Sequence, residues 1–264
     1  MELDKVKELK KHGNLIPLVG AGLSANLGVP TGDGLVDLMA DDLNWNRELF
    51  RLAGDLHQLA EFHVAVNNDK IGHLRSLLDK KFNRTDDEIK KSITHRELTR
   101  CKFPIIYTTN YDDFIERSIE IHTKKKPKVI TSLSDLSQIN ETDKIVVKFH
   151  GTFKDDESLV LTEESYFERL EFESALDIRL RSDLLGKTML FIGYSYSDIN
   201  IRYMIYKLNR LKTKLKINSP TAIMAVYSPD DVMRRISTRR NVELVELDAS
   251  NKEKSLTEFL RYIR

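Results

Sequence analysis

Short, continuous apolar runs constrain the fold of this chain more than any other feature of its sequence. Their apolar residues follow one another without alternation, which is typical of strands covered on both faces of a sheet. The five strongest runs lie at residues 15–19, 103–107, 145–149, 189–192 and 222–227. Two weaker strands are predicted at residues 128–131 and 242–247.

Stretches with a helical spacing of apolar residues separate these runs. They predict helices around residues 35–43, 49–60, 71–78, 112–121, 166–184, 200–211 and 256–263. Strands that alternate with helices predict an α/β fold, Rossmann-like and doubly wound, with a mostly parallel sheet. The interval between the first two strong strands is too long for one crossover helix. We therefore expect a single domain over residues 1–264 with a helical insertion at approximately residues 35–100.

Composition argues against several classes of protein. The chain has 42 Lys and Arg against 41 Asp and Glu, a balance that argues against charge-driven binding to nucleic acid or to a membrane. Cys101 is the one cysteine, which excludes an internal disulfide and a zinc module with two or four cysteines of this chain. Residues 1–11 are rich in charge and lack the apolar segment of a secretory signal. We therefore expect a cytoplasmic protein.

A glycine-rich turn follows the first predicted strand. Residues 20–25 read GAGLSA, the G-x-G-x-x-G/A spacing of dinucleotide-binding turns, in which glycines let the backbone approach phosphate and a following helix offers unpaired N–H groups. The alternative is a plain strand–turn–helix connection. Asp41 and Asp42, about 20 positions on, lie in a helical stretch rather than after a strand, so the chain is not an ordinary dehydrogenase. Residues 28–34, with three further glycines, are expected to form a mobile loop above the turn or a linker.

Polar residues and glycines also follow three other predicted strands. Residues 107–112 read YTTNYD, His150 and Gly151 follow the third strong strand, and residues 193–198 read GYSYSD. Ligands of open α/β sheets bind beyond the carboxyl ends of the strands, so these residues are expected to share one rim. Capping of the next helix is the alternative for Asn110 and Asp112. The convergence of four strand ends predicts a ligand site more strongly than any one motif does.

Taken together, these segments resemble the sirtuin family, and more closely its bacterial sirtuin-like NAD hydrolases of anti-phage defence. The matching segments are GAGLS, GVP, TTNYDDFIE, VKFHG and FIGYSYSD, at residues 20–24, 28–30, 108–116, 147–151 and 191–198. They occur in the order of the family and span roughly 70% of the chain.

The resemblance implies a role for each matching residue. Asn110 and His150 would be catalytic, with Asn110 facing the nicotinamide ribose and His150 acting as the general base. The residues implied to bind NAD, at the pyrophosphate, the nicotinamide ribose and the adenosine ribose, are Gly20, Ala21, Gly22, Ser24, Pro30, Thr109, Asp112, Gly193 and Ser195. Asp198 would be either a further family position or the cap of the next helix. No residue is expected to bind a metal.

Two departures from the family favour NAD cleavage over protein deacylation. The four-cysteine zinc ribbon of sirtuin deacylases is missing, and Gly32 and Asp33 stand where those enzymes place an aromatic residue and an arginine. Cleavage of NAD releases neutral nicotinamide from a cation, so it needs no acid for the leaving group. An asparagine oxygen can orient a ribose hydroxyl or water, and a histidine with a pKa near ~6.5 can accept the proton.

The leading hypothesis is therefore an NAD⁺ glycohydrolase that forms nicotinamide and ADP-ribose and acts in anti-phage defence by NAD⁺ depletion. NAD would be its substrate, with no metal. One alternative is a zinc-free NAD-dependent protein deacylase or ADP-ribosyltransferase. The other is a non-enzymatic subunit that binds NAD or ADP-ribose.

Control is expected to come from outside the catalytic residues, because unrestrained NAD⁺ hydrolysis would poison the cell. The chain ends at Arg264, soon after the last predicted helix, so we expect homo-oligomerisation, a separate partner or both, unless the chain is a catalytic piece of a longer polypeptide. Some relatives of this size imply a partner ATPase of the DNA-translocase type. Two basic clusters are either partner contacts or solvated helix faces: Lys207, Arg210, Lys212, Lys214 and Lys216, and Arg234, Arg235, Arg239 and Arg240.

Overall fold

A computed structural model describes residues 3–140, 142–170, 174–194 and 198–264. Within these residues, seven parallel strands form one sheet. The strands are β1 (Leu15–Val19), β2 (Ile105–Thr108), β3 (Lys128–Ile130), β4 (Ile145–Lys148), β5 (Thr188–Ile192), β6 (Ala222–Tyr227) and β7 (Val242–Leu247). All seven predicted strands are therefore present, and β2 is displaced most, beginning two residues later than predicted.

The order of the strands is β3-β4-β2-β1-β5-β6-β7, which confirms the doubly wound, Rossmann-like class. From β1 the chain continues to β2 on one side, whereas β5, on the other side of β1, continues to β6. The carboxyl ends of β1 and β5 therefore flank the point where the winding reverses, which is where ligands bind in open α/β sheets.

Fourteen helices are described around the sheet. They are α1 (Leu3–Lys11), α2 (Gly32–Asp42), α3 (Arg47–Ala53), α4 (Leu56–Val66), α5 (Ile71–Phe82), α6 (Asp86–Lys91), α7 (Ile93–Arg100), α8 (Phe114–Thr123), α9 (Leu133–Leu136), α10 (Glu163–Leu170), α11 (Ala175–Leu184), α12 (Ile199–Lys214), α13 (Asp231–Arg239) and α14 (Lys252–Ile263). Helices α2 to α7 lie between β1 and β2, where the sequence predicts the insertion. No helix in the described part of the chain is long and apolar enough to cross a membrane.

Both faces of the sheet are buried, which explains the continuous apolar runs. Along β5, Met189 and Phe191 pack into one core with α11 and α12, whereas Leu190 and Ile192 pack into another with α1, α7, α8 and α14. A third core joins helices α2 to α6 to Phe114 and to residues that follow β4. This third core connects the helical lobe to the rim of the sheet.

The helix predicted over residues 49–60 is two helices, α3 and α4. Gly54 ends α3, and the carboxylate of Asp55 accepts hydrogen bonds from the N–H groups of His57 and Gln58 to begin α4. Gln58 completes a capping box, a local signal that the apolar spacing conceals. Likewise, the single helix predicted over residues 166–184 corresponds to two helices, α10 and α11. Helix α11 has its own N-cap at Ser174.

Candidate active site at the switch point of the sheet

The glycines at positions 20, 22 and 193 bring the ends of β1 and β5 into close backbone contact. The N–H of Gly22 donates to the carbonyl of Gly193 at 2.8 Å. A Cβ on Gly22 would lie 2.8 Å from that same carbonyl oxygen, and a Cβ on Gly193 would lie 2.4 Å from the nitrogen of Leu23. Gly193 also has a φ of +61°, which favours glycine. In this structure the glycines therefore allow two chain segments to approach each other closely.

The α-helix expected directly after the glycine turn is absent from residues 21–27. Two three-residue 3₁₀ turns, Ala21–Leu23 and Ala25–Leu27, take its place. Their amides are used within the turns, because Leu23 donates to Gly20 and Ser24 donates to Ala21. The N–H groups of Gly22, Leu23 and Ser24 are therefore already paired within the protein. Ala21 and Gly22 are exposed, so the turn is open to solvent.

The second glycine-rich segment divides into a turn and a helix start. Gly28 adopts a φ of +68° and ends the second 3₁₀ turn. The mobile loop expected over residues 28–34 is wrong for its second half, because Thr31 precedes the first residue of α2 and residues 32–34 are helical. Pro30, one of the predicted NAD-binding residues, is half-buried just before this helix.

Ser24 links the glycine turn to the end of β2. Its hydroxyl donates to Oδ2 of Asp112 at 3.3 Å and accepts from Nδ2 of Asn110 at 3.4 Å. Asp112 also accepts through Oδ1 from the N–H of Phe114, the first residue of α8, although the N-cap position of that helix is Asp113. The backbone N–H of Asn110 donates to the hydroxyl of Thr108, which fixes the turn after the strand. Three predicted site residues are thus brought into one hydrogen-bonded cluster.

The carboxyl group of Asp112 titrates close to neutrality. Its burial raises the pKa to about 6, and the nearby Lys148 ammonium opposes that shift. Lys148 is almost fully buried; it donates to the backbone carbonyl of Asp112 and lies 3.4 Å from the carboxylate of Glu116. Sequence reasoning missed Lys148, although a lysine inside an apolar strand was a signal of a buried partner.

His150 lies two residues beyond β4 and is buried. Tyr166 of α10 contacts it, with the phenolic oxygen 3.3 Å from Nδ1 and also 3.3 Å from Oδ2 of Asp198. The single phenolic hydrogen donates to Asp198, so the oxygen accepts from His150 and the proton of the imidazole is placed on Nδ1. The lone pair is then on Nε2, which is the arrangement that a general base requires.

Burial lowers the pKa of His150 to about 4, with Asp198 opposing and Arg169 and His57 reinforcing the shift. The ring is therefore neutral at pH 7, rather than near half-titration as the sequence predicts. Oδ2 of Asp198 lies 3.5 Å from Nε2 without a hydrogen bond between them, close enough to stabilise an imidazolium once Nε2 accepts a proton. Of the two roles considered for Asp198, the structure shows the cap, because Oδ1 accepts from the N–H groups of Asn200 and Ile201 at the start of α12.

The helical lobe reaches this site through His57 of α4. Its ring stacks on that of Tyr166 with centroids 3.5 Å apart, and its Nδ1 is 2.9 Å from the carbonyl of Leu161. Sequence reasoning did not single out His57 or Tyr166. Neither residue lies in a motif, so only the packing of α4 against α10 reveals them.

The register of the sheet places Asn110 and His150 at the same rim. Thr108 pairs with Lys148 in neighbouring parallel strands, and the two predicted catalytic residues each follow two positions later. Among the described residues, Oδ1 of Asn110 and Nε2 of His150 are buried and have no hydrogen-bond partner. Unpartnered buried polar atoms cost free energy, and twelve other side-chain atoms of the described residues share this state. The shared position of these two atoms at the ligand-binding rim is therefore what marks them as candidates to contact a ligand.

The other predicted NAD-binding residues are distributed around this rim. The N–H of Thr109 donates to the carbonyl of Val19, and its side chain hydrogen-bonds to Tyr194. Tyr194 in turn lies against Gly20, where a Cβ would come within 2.5 Å of its ring. Ser195 lies outside the described residues.

Comparison with known proteins identifies the fold at this rim. A family model described as a SIR2-like domain matches residues 104–247, more than half of the chain. This chain belongs to the SIR2-like domain family. The match begins just before β2 and includes Asn110, Asp112, His150 and Gly193, but not the glycine turn after β1. The resemblance that the motifs indicate is therefore confirmed.

Curated members related to this SIR2-like chain carry names that describe an activity. The NAD(+) hydrolase ThsA of Enterococcus faecium is 31% identical over 77% of this chain, and that of Cytobacillus dafuensis is 32% identical over 78%. Defense-associated sirtuin 2 of Bacillus subtilis is 24% identical over 86% of this chain. The chain spans about 41% of the length of the two hydrolases and 22% of the length of the third relative.

Proposed function

We propose that this chain is an NAD⁺ glycohydrolase that cleaves NAD⁺ to nicotinamide and ADP-ribose. One observation carries the proposal: Oδ1 of Asn110 and Nε2 of His150 are buried without partners at the same rim of a SIR2-like sheet. The names of the relatives that cover three quarters of the chain support NAD⁺ as the substrate.

The chemistry assigns each atom a step. Nicotinamide leaves as a neutral molecule, so positive charge develops on the ribose and no acid is needed. The amide oxygen of Asn110 orients a ribose hydroxyl or the attacking water. Nε2 of His150, free of a proton at pH 7, accepts the proton that water releases. Asp198 then stabilises the imidazolium, and Tyr166 holds the ring in the productive tautomer.

The assay is incubation of the purified chain with NAD⁺ and chromatography of the products. Replacing a general base costs about 10²–10⁴-fold in rate, so His150→Ala should lose at least about 100-fold of the activity while it remains folded. Asn110→Ala should behave alike. His12→Ala is the matched control, because it removes an exposed imidazole that lies just after α1, before the amino end of β1, and it should keep full activity.

The products distinguish the alternatives. Equal amounts of nicotinamide and free ADP-ribose support hydrolysis, whereas O-acyl-ADP-ribose or modified protein would assign the site to a deacylase or a transferase. NAD⁺ that binds and stays intact, with a biological effect insensitive to Asn110→Ala and His150→Ala, would assign a binding subunit.

The site is closed in this structure, which supports control by an activator. Asn110 is 6% exposed and His150 2%, and the ring of Tyr166 packs edge-on against the imidazole at 5.3 Å. NAD⁺ reaches them only when covering side chains such as Tyr166 move. The trigger proposed is homo-oligomerisation, a partner ATPase of the DNA-translocase type, or both, in a cytoplasmic NAD⁺-depleting response to phage.

The two basic clusters differ as partner surfaces. Lys212 is buried, and its ammonium donates to the carbonyls of Lys187 and Pro220, so it belongs to neither a contact surface nor a solvated face. Arg234 forms an exposed ion pair with Glu246. Arg239, exposed at the end of α13, is the better probe: charge reversal there should shift the elution volume of an oligomer if α13 forms the interface.

A further inference from the structure

Two histidines of the helical lobe converge on one carboxylate oxygen. Nε2 of His63 and Nε2 of His73 each lie 2.9 Å from Oδ2 of Asp42, and all three atoms lie within 4.8 Å of one another. The residues come from three helices: Asp42 ends α2, His63 lies in α4 and His73 in the first turn of α5. The imidazole rings stack at 5.6 Å with an angle of 17°, so both present the same edge to the carboxylate.

The described hydrogen-bond partners of the Asp42 carboxylate are two histidines, His63 and His73, rather than a lysine or an arginine. A carboxylate at the end of a helix faces the negative pole of the helix dipole, and α2 has no basic residue in its last turn. The neighbouring Asp41 is compensated by a bidentate ion pair with Arg47. Burial raises the pKa of Asp42, but hydrogen bonds from His73 and His63 outweigh it and keep the pKa below its usual value.

His63 is the buried member of this cluster. Its side chain is fully buried, and burial lowers the pKa of its ring despite the nearby Asp42. One buried ring, one half-exposed ring and a carboxylate thus bring two imidazole nitrogens and one carboxylate oxygen to one point. Two imidazoles and a carboxylate are ligands that zinc and similar first-row divalent cations prefer.

We propose that Asp42, His63 and His73 bind a divalent transition-metal ion of the zinc type. The half-exposed side of His73 leaves a fourth position for water. Ligand atoms around a tetrahedral zinc ion are about 3.3 Å apart, so the two 2.9 Å contacts open by only a few tenths of an ångström as Nε2 of each ring releases its proton. The amide of Asn67 lies 3.4 Å from Nδ1 of His63, the ring nitrogen that keeps the proton once Nε2 binds the ion, and it also donates to the carbonyl of His63 at 2.8 Å.

Such an ion would join α2, α4 and α5 at the solvent-accessible edge of the helical lobe, whose α4 carries His57 against Tyr166. The site contains none of Ser24, Asn110, Asp112 and His150. It is therefore separate from the proposed NAD⁺ chemistry and does not depend on it.

The test measures zinc binding to the purified full chain directly. After dialysis against a chelator, titration calorimetry with zinc chloride and mass spectrometry for bound metal should give one ion per chain. Thermal unfolding should shift upwards by several degrees with zinc. His73→Ala, at a half-exposed position that tolerates truncation, should weaken zinc binding at least about 100-fold and abolish the thermal shift.

Two further variants make the outcome decisive. Asp42→Asn keeps the size of the side chain and should lose zinc as His73→Ala does. His12→Ala removes an exposed histidine that lies 3.3 Å from Glu8 and should bind zinc as the wild type does. Absence of a tightly bound ion in the wild type, or equal binding by the wild type and His73→Ala, would overturn the proposal whatever the NAD⁺ assay shows.

Discussion

Burial of His150 makes the stability of the protein depend on pH in a way that can be calculated. The folded-state pKa is about 4 against 6.5 for an unperturbed histidine. Because the folded pKa is depressed, the unfolded chain binds a proton below pH 6.5 that the folded chain refuses until about pH 4. The free energy of unfolding that His150 contributes is thus complete above pH 6.5 and is lost as the pH falls towards 4.

The magnitude follows from about 1.4 kcal/mol for each pKa unit. Between pH 7 and pH 4.5, the proton bound by the unfolded chain should cost about 2–3 kcal/mol of stability through His150 alone. Asp112 opposes this trend, because its folded-state pKa is raised to about 6. As the pH falls, the folded chain therefore binds a proton at Asp112 before the unfolded chain does. The contribution of His150 must therefore be isolated by substitution.

His150→Gln removes the titration and keeps a polar side chain. The free energy of unfolding is measured by urea unfolding followed by circular dichroism at pH 7 and at pH 4.5. Between these two pH values, His150→Gln should lose about 2–3 kcal/mol less of that free energy than the wild type loses. His12→Gln is the exposed control. Equal losses in the wild type and in His150→Gln would refute the buried, neutral state of the ring.

Three further predictions follow from the same contacts. Gly193→Ala should lose at least about 2 kcal/mol of stability, because its Cβ would meet the backbone of Leu23 at a residue with positive φ. Gly186→Ala, where a Cβ would enter open space, should lose little, and thermal unfolding of the two variants measures the difference. Tyr166→Phe should fold normally yet lose about 10–100-fold in kcat, because no phenolic oxygen then holds the proton of His150 on Nδ1. An unchanged kcat in steady-state kinetics would contradict this. The native thiol of Cys101 should resist alkylation until urea unfolds the chain, since burial raises its pKa to about 11; rapid native labelling measured by mass spectrometry would disprove it.

The sheet was predictable from sequence because a strand buried on both faces leaves a continuous apolar run. Strands β1, β6 and β7 match their predicted bounds, and the rim residues fall where parallel strands end. The helical lobe was less predictable. A capped break such as Gly54–Asp55 does not interrupt the apolar spacing, and the six-residue polar helix α6 buries only Ile89.

The site was predictable only as a set of strand ends. Sequence motifs indicate Asn110 and His150, but the pKa of a histidine depends on burial that no motif encodes. Tyr166, His57 and Lys148 contribute through contacts between segments that are distant in the sequence. His57 and Tyr166, for example, lie 109 residues apart along the chain. The glycines after β1 fit a phosphate-binding pattern, yet their amides are used within the protein.

The most direct test of the central claim is a crystal structure of the slowed His150→Ala variant with NAD⁺ bound. The account predicts that the bond between nicotinamide and ribose lies beside the amide oxygen of Asn110, with the space vacated by the imidazole on the side from which water attacks. Ordered NAD⁺ whose nicotinamide ribose lies away from the ends of β2 and β4 would contradict it.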